Sequence, residues 1–294
     1  MSSAKQVSIR GRGRYSTSKI VFSIVALVVA AVWFFPVYWM INSSLLSNVV
    51  LSSTTPTFFP DLLHGGGSLD NFATVFQGGS FLPALGMSVL IALIVVVVCL
   101  LFAFLAAVAI SRFRFRGRTS FVLAILFVQM LPAEGLFIAQ YKLMASVDLL
   151  NTVIGISILY IASVVPFTIW MLRGFVAGIP AELEEAAMVD GLSRTQAFLR
   201  ITFPLLAPGL VASGVYAFLQ SWNEFTVALV VLPDQASQTL PLWLRGFIQS
   251  SASKAIDWGQ VMAASTLVAI PVIVFFLLVQ GRMTSGLVGG AVKG

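Results

Sequence analysis

The stretch GIPAELEEAAMVDGLSRTQAFLRITFP, residues 178–204, decides how the rest of the chain is read. Its local chemistry predicts two short helices in a hairpin. Pro180 suits a first helical turn, where its missing N–H would have no partner anyway. Glu182, Glu184 and Glu185 follow, placed where negative charge favours the positive end of the helix dipole. Gly191 fits the position just past the helix end, where glycine adopts a left-handed backbone easily. Ser193 then starts a second helix, Gln196 three residues on completes a capping box, and Pro204 closes it. Ala186, Ala187 and Gly191 are small and close together, letting another surface approach. On residue chemistry alone two readings stand: a knob that docks into a partner, or a hairpin lying at a lipid surface.

What flanks the hairpin is apolar. Of 294 residues, 59% are hydrophobic and 10% charged, against roughly 25% charged in a soluble domain. A water-soluble fold could not hide that surface, so the class is integral membrane protein. A membrane helix needs about 20 mostly apolar residues, and six runs meet this: Ile20–Ile41, Ala84–Ile110, Phe121–Ala139, Thr152–Leu172, Ala207–Val231 and Gly259–Gln280. Pro36, Pro166 and Pro271 fall inside three of them, which is tolerated where neighbours satisfy the freed carbonyl. The first run is 22 residues long, beyond the 7–15 typical of a signal peptide's apolar region. No small-residue cleavage site precedes Trp33-Phe34-Phe35, so this run reads as an uncleaved span.

Fourteen of the seventeen basic residues fall on one side of this arrangement. They are Lys5, Arg10, Arg12, Arg14 and Lys19 before the first run, Arg112, Arg114, Arg116 and Arg118 in the second-to-third loop, Arg173, Arg194 and Arg200 around the hairpin, and Arg282 and Lys293 at the end. Lys142, Arg245 and Lys254 lie on the other side. Positive residues favour the cytoplasm, which places both termini and the hairpin there. The net charge of +6 therefore flanks membrane helices beside lipid and forms no single nucleic-acid patch. Two outer loops are long, Asn42 to Pro83 and Leu232 to Trp258, and are candidate docking surfaces. The lone Cys99 reads as a small buried hydrophobe, and the lone His64 as filler in a Gly-rich loop, so no multi-histidine metal site is expected.

Polar groups inside a span are costly and face a cavity or a partner. On the fifth run Tyr216, Gln220, Asn223, Glu224 and Val227 recur at helical spacing, giving a polar stripe with the Asn223–Glu224 pair about 25 Å along, toward the outer leaflet. Gln129 and Glu134 add polar groups on the third run, beside Pro132. Amides, carboxylates and rings suit hydroxyl-bearing ligands, so these residues are candidates for a translocation path. The alternative is that they hold span to span by hydrogen bonds.

The hairpin resembles the EAA loop of bacterial ABC importer permeases, written E-A-A, three residues, G, nine residues, I-x-L-P. Glu185-Ala186-Ala187, Gly191, Ile201 and Pro204 match at those spacings, and Phe203 stands where leucine is usual. The end, GRMTSGLVGGAVKG, is similar to the tail of maltose-type, MalG-like carbohydrate permeases, matching at Arg282, Gly286, Leu287, Gly290, Val292, Lys293 and Gly294. Ser221-Trp222-Asn223-Glu224-Phe225 looks like the W-N-[DE]-F element of the same group. Taken on composition alone, the Gly-rich basic tail reads as disordered.

The resemblance implies an all-α integral membrane protein with six transmembrane helices, a cytoplasmic EAA-type hairpin and both termini cytoplasmic. Its parts would be a basic tail (1–19), a permease domain (20–280) holding the coupling hairpin (178–204), and a C-terminal tail (281–294). It implies a binding-protein-dependent importer subunit in the bacterial inner membrane. With a second permease, the chain would form a path for a sugar or related polyol. An ATPase homodimer or heterodimer would dock on Glu185, Ala186, Ala187, Asp190, Gly191, Ile201 and Pro204, with the tail at Arg282, Gly286 and Lys293 reaching between the ATPase subunits. A lipoprotein or periplasmic binding protein would deliver substrate. ATP and Mg would sit on the ATPase: no G-x-x-x-x-G-K-[ST] stretch occurs here to cradle phosphates, so the chain is expected to bind no cofactor and to be no enzyme. A self-sufficient secondary transporter is the rival reading, which inverted repeats would support, and no clear repeat is present. A glycerol phosphate permease is the rival within the same family.

Overall fold

The computed structural model describes residues 17–60, 67–252 and 256–291. All of the regular structure in these residues is helical. Helix α1 (Thr17–Ser44) is followed by short helices α2 (Asn48–Leu51) and α3 (Asp70–Gln77), then by α4 (Phe81–Arg112). Next come α5 (Arg118–Gln129), a 3₁₀ turn over Ala133–Leu136, α6 (Phe137–Ser146) and α7 (Val153–Ala177). The hairpin comprises α8 (Glu182–Val189), α9 (Arg194–Ala197), a π turn over Phe198–Thr202 and α10 (Phe203–Leu205). Helices α11 (Ala207–Asn223), α12 (Thr226–Val231), α13 (Leu240–Ala252) and α14 (Trp258–Ala291) complete the fold.

Among the described residues, four helices are each long and apolar enough to cross a bilayer: Lys19–Ser44, Phe81–Arg112, Val153–Ala177 and Trp258–Gly281. A fifth crossing arises if Arg194–Leu205 and Ala207–Asn223, bent by 61°, act as one. Pro36, Pro166 and Pro271 lie inside α1, α7 and α14 without ending them. Two expected spans are not single helices. The run Phe121–Ala139 breaks after Gln129, because Pro132 lacks an N–H and keeps the residue before it out of the helical region. The run Ala207–Val231 breaks at Glu224, whose backbone is extended (φ −68°, ψ 128°). In the other direction, the stretch 232–258, which reads as a loop, contains the 13-residue α13. The C-terminal stretch, disordered on composition alone, continues α14 to Ala291.

The bundle centres on α4 and α7, whose facing sides are buried from Ala103, Ala107 and Ile110 on one to Ile169, Leu172 and Val176 on the other. Helix α11 packs against both. Gly209 permits the close approach, since a Cβ there would stand 2.5 Å from the Phe175 ring. Toward the N-terminal end of α4, helices α3, α4, α11, α13 and α14 share a second core around Phe81, Phe218, Trp222 and Trp243. Cys99 is fully buried between α4 and α7 and its thiol is 3.4 Å from Thr168 Oγ1, in keeping with a packing role. His64 lies outside the described residues. The apolar surface of α1, from Ile20 to Phe35, is exposed throughout, as expected for a helix solvated by lipid or covered by another membrane chain.

Candidate functional site

The hairpin forms as its sequence dictates, with two refinements. Helix α8 begins at Glu182 with Ala181 as its cap residue, so Pro180 lies just outside the first turn. Gly191 has φ +92°, and its N–H bonds Met188 O at 3.1 Å while the Leu192 N–H bonds Ala187 O at 3.1 Å. That pair of bonds is the Schellman closure, which satisfies carbonyls the helix end would leave open. Ser193 and Gln196 make the reciprocal capping box: Gln196 N–H donates to Ser193 Oγ at 3.4 Å and Ser193 N–H to Gln196 Oε1 at 3.0 Å. Pro204 has no N–H for the Arg200 carbonyl, and the ladder widens just before it, with Phe203 N–H reaching Phe198 O. The second helix ends at Leu205, one residue later.

The two alanines of the motif face opposite ways. Ala187 is buried, as are Ala197 and Thr202 on the other arm, whereas Glu185, Ala186, Asp190 and Gly191 are exposed. The expected single ridge of small residues is therefore half packing and half surface. Val189 is 87% exposed and Leu199 55%, so apolar side chains stand out on an otherwise polar hairpin. Ile201 is half-buried and Pro204 exposed. Phe203, the departure from leucine, sets its ring edge-on to Phe104 of α4 at 5.7 Å.

A residue not singled out by sequence fixes the hairpin to the bundle. Glu184 Oε1 lies 3.1 Å from Arg112 Nη2, at the last residue of α4, and accepts from Thr202 Oγ1 at 2.7 Å. Arg112 Nη2 also donates to Ile179 O at 3.1 Å. The pair is only 15% and 12% exposed, where a charge-assisted bond is little screened by water. One carboxylate thus joins both arms of the hairpin to the end of α4. The only sequence signal was one acid among three in the first turn of α8.

On α11, Tyr216, Gln220 and Asn223 share an accessible face: Gln220 Nε2 donates to Tyr216 Oη at 3.0 Å and Asn223 Nδ2 to Leu219 O at 2.9 Å. Tyr216 also packs its ring on Phe167 at 4.6 Å. Glu224 does not join them, nor does Val227 continue the stripe, because the chain has left the helix. Glu224 turns inward, where Val227 N–H donates to its Oε1 at 2.7 Å, Ala228 N–H to its Oε2 at 3.1 Å, and Tyr160 Oη to its Oε2 at 2.7 Å. It supplies the acceptor that the open N–H groups of α12 need. Gln129, at the end of α5, is exposed and stands apart from this face in chain and helix. The side chains of Glu134 and Arg282, the surroundings of Gly286 and the whole of Lys293 lie outside the described residues.

Comparison with known proteins follows the same lines. Residues 100–287 match the family described as binding-protein-dependent transport system inner membrane component. The chain is 39% identical over 272 residues to the diacetylchitobiose uptake system permease protein DasC of Streptomyces coelicolor, covering 92% of this chain and 96% of that one. It is 33% identical over 279 residues to the trehalose/maltose transport system permease protein MalG of Thermococcus litoralis, covering 94% and 97%. Among solved structures, a chain of a bacterial ABC transporter involved in import of the acidic polysaccharide alginate superposes with a TM-score of 0.73 at 25% identity, covering 91% of this chain and 98% of that one.

Proposed function

This chain belongs to the binding-protein-dependent transport system inner membrane components, and from that premise we propose how its parts serve as the permease subunit of a carbohydrate importer. It is a multi-pass inner-membrane subunit and not itself an enzyme. Its substrate is a sugar or related polyol, in line with the saccharide systems of its relatives. The path forms between this chain and a second permease, with Tyr216, Gln220 and Asn223 facing it from α11. An external binding protein delivers the sugar, and an ATPase pair holding ATP and Mg grips the hairpin.

Six crossings with both termini cytoplasmic is the topology we assign. The broken segment 118–146 supports it, since its two ends lie at opposite ends of α7. Residue 118 starts a helix packed along α7 on the hairpin side, with Val122 and Ile125 in the same core as Val176. The turn after Ser146 meets the far side, where Asn151 N–H bonds Val231 O at 3.0 Å.

The observation that carries the coupling role is the Arg112–Glu184–Thr202 tie. A socket that moves the exposed Glu185, Ala186 and Val189 moves α8, and the tie passes that motion to α4. Helix α4 spans about 48 Å over its 32 residues and at its other end holds α13, where Trp243 Nε1 donates to Ser80 Oγ at 2.9 Å and Leu240 N–H to Ser88 Oγ at 2.7 Å. One rigid rod therefore links the ATPase face to the delivery face, as alternating access between two arrangements requires. The test is gentle purification of the tagged chain from its native membrane with mass spectrometry of its companions. A Walker-motif ATPase and a second permease are expected. Recovery of the chain alone as a transporting homo-oligomer would overturn the reading.

A further inference from the structure

At the end of the bundle opposite the hairpin, α2, α3, the 235–238 turn, α13 and the start of α14 line an open cavity of about 910 Å³. That is at the upper end of the range for small-molecule sites. Five carboxamides line it, those of Asn48 on α2, Gln77 on α3, Gln235 and Gln238 on the 235–238 turn and Gln260 on α14. Asn48 Oδ1 accepts from the Trp258 N–H at 3.3 Å; among the described residues none of the four glutamine amides has a hydrogen-bond partner. The apolar wall is Trp243 stacked on Phe247, with ring centroids 5.2 Å apart. The Trp243–Ser80 bond holds the indole in place. One carboxylate, Asp257, joins the lining, with its Oδ1 accepting from the Gln260 N–H at 3.2 Å. Among the described residues no lysine or arginine lines it.

That inventory selects a ligand chemistry. A carboxamide offers donor and acceptor side by side, as a hydroxyl does, so convergent amides match a polyhydroxylated molecule. The half-buried Phe247, backed by the buried Trp243, offers its ring to the C–H face of a pyranose. A carboxylate or phosphate would need a cation or a helix N-terminus for recognition, and here it would meet Asp257 instead. Building on the importer reading above, we propose that this cavity is a saccharide site selective for uncharged sugars. It holds the sugar at the outer face between its delivery and its entry into the path. Uronic acid chains and sugar phosphates are excluded. A loop of the external binding protein is the other conceivable occupant. A concavity with unpaired amides from three separate elements favours a small ligand, because protein interfaces are flatter and apolar at their centre.

Gly246 gives a clean test. It lies on α13 in the lining, and the nearest atom a Cβ would meet among the described residues is Gln238 Oε1 at 4.0 Å. Leucine is also a better helix former than glycine. Gly246→Leu therefore fills the cavity without straining the backbone. The complete importer, in nanodiscs and without its binding protein, is titrated by calorimetry with trehalose, maltose, N,N′-diacetylchitobiose and an alginate disaccharide. At least one neutral sugar is expected to bind and the alginate disaccharide not. Gly246→Leu should weaken neutral binding more than tenfold, and Gln238→Leu about tenfold, as for one lost hydrogen bond. Absence of neutral binding, equal binding of the acidic sugar, or binding unchanged in Gly246→Leu would each overturn the proposal. So would a variant that binds sugar normally but loses affinity for the binding protein, since the cavity would then be a protein socket. The importer reading is tested apart from this: wild-type proteoliposomes with binding protein and ATP that import no saccharide would sink that reading, whatever the titrations give.

Discussion

A carboxylate such as that of Glu224 can serve a passing ligand or the backbone, but its oxygens are limited. Both are occupied here, by two N–H groups of α12 and the Tyr160 hydroxyl. Glu224→Ala leaves three donors unpaired in a partly buried site, a cost of about 1–3 kcal/mol for each donor fully stranded. The expected result is a lower unfolding midpoint of the purified complex and reduced uptake. Tyr160→Phe, which removes one bond and strands none of the helix donors, should lower the midpoint by less. If Glu224 instead served the substrate, Glu224→Gln would raise the KM for uptake while leaving the midpoint in place, and that pattern would overturn the capping role. Sequence spacing could not reveal this role. The run of apolar residues continues through Val231, and nothing in hydropathy marks where a helix stops and an extended residue begins. Gly191 is the opposite case, because its left-handed φ of +92° was legible from one glycine at the end of one amphipathic turn.

At the scale of elements, the hairpin was nearly all legible because caps are local. Ser193 and Gln196 need only each other and the backbone between them. What joins the hairpin to α4 was not legible, since Arg112 and Glu184 are brought together by the packing of α4 on α7. Removing either should cost about 1–3 kcal/mol of local stability, through a stranded charge or hydroxyl. A double-mutant cycle of Arg112→Ala and Glu184→Ala should show coupling of about 0.5 kcal/mol or more in the stability of the assembled complex. Additive effects would mean that the tie carries no energy. Gly191→Val tests the hairpin's own shape. A Cβ there meets nothing within 4 Å, so the penalty is conformational, about 1–2 kcal/mol for a left-handed non-glycine residue. The expected outcome is ATP hydrolysis uncoupled from sugar uptake, with the complex still assembled. Full coupling retained in that variant would count against docking. Helix α13 escaped the sequence reading for a different reason. Averaged over 232–258 the stretch is polar, while its buried residues Leu240, Leu242 and Trp243 are few and crowd into one turn, too short a pattern to stand out.

For the whole molecule, the strongest consequence lies in which faces of the bundle are left uncovered. Apart from Ser23, helix α1 exposes apolar side chains from Ile20 to Phe35, whereas α11 exposes Gln220 and Asn223 beside Tyr216. Amides facing hydrocarbon are costly, so the α11 face requires either a second chain's polar groups or a water-filled path. Cysteine accessibility distinguishes these, and the protein is suited to it because its single cysteine, Cys99, is fully buried. Single reporters at Gln220→Cys and Asn223→Cys can be made in the wild-type background. If the face lines an alternating path, a membrane-impermeant thiol reagent added outside should label them when ATP closes the ATPase pair, and label them at least several-fold more slowly in its absence. Reporters on the outer surface of α1, such as Val28→Cys, should resist the reagent in both states. Labelling that never responds to nucleotide would place the α11 amides in a static helix–helix contact. The path would then have to run along another face of the bundle.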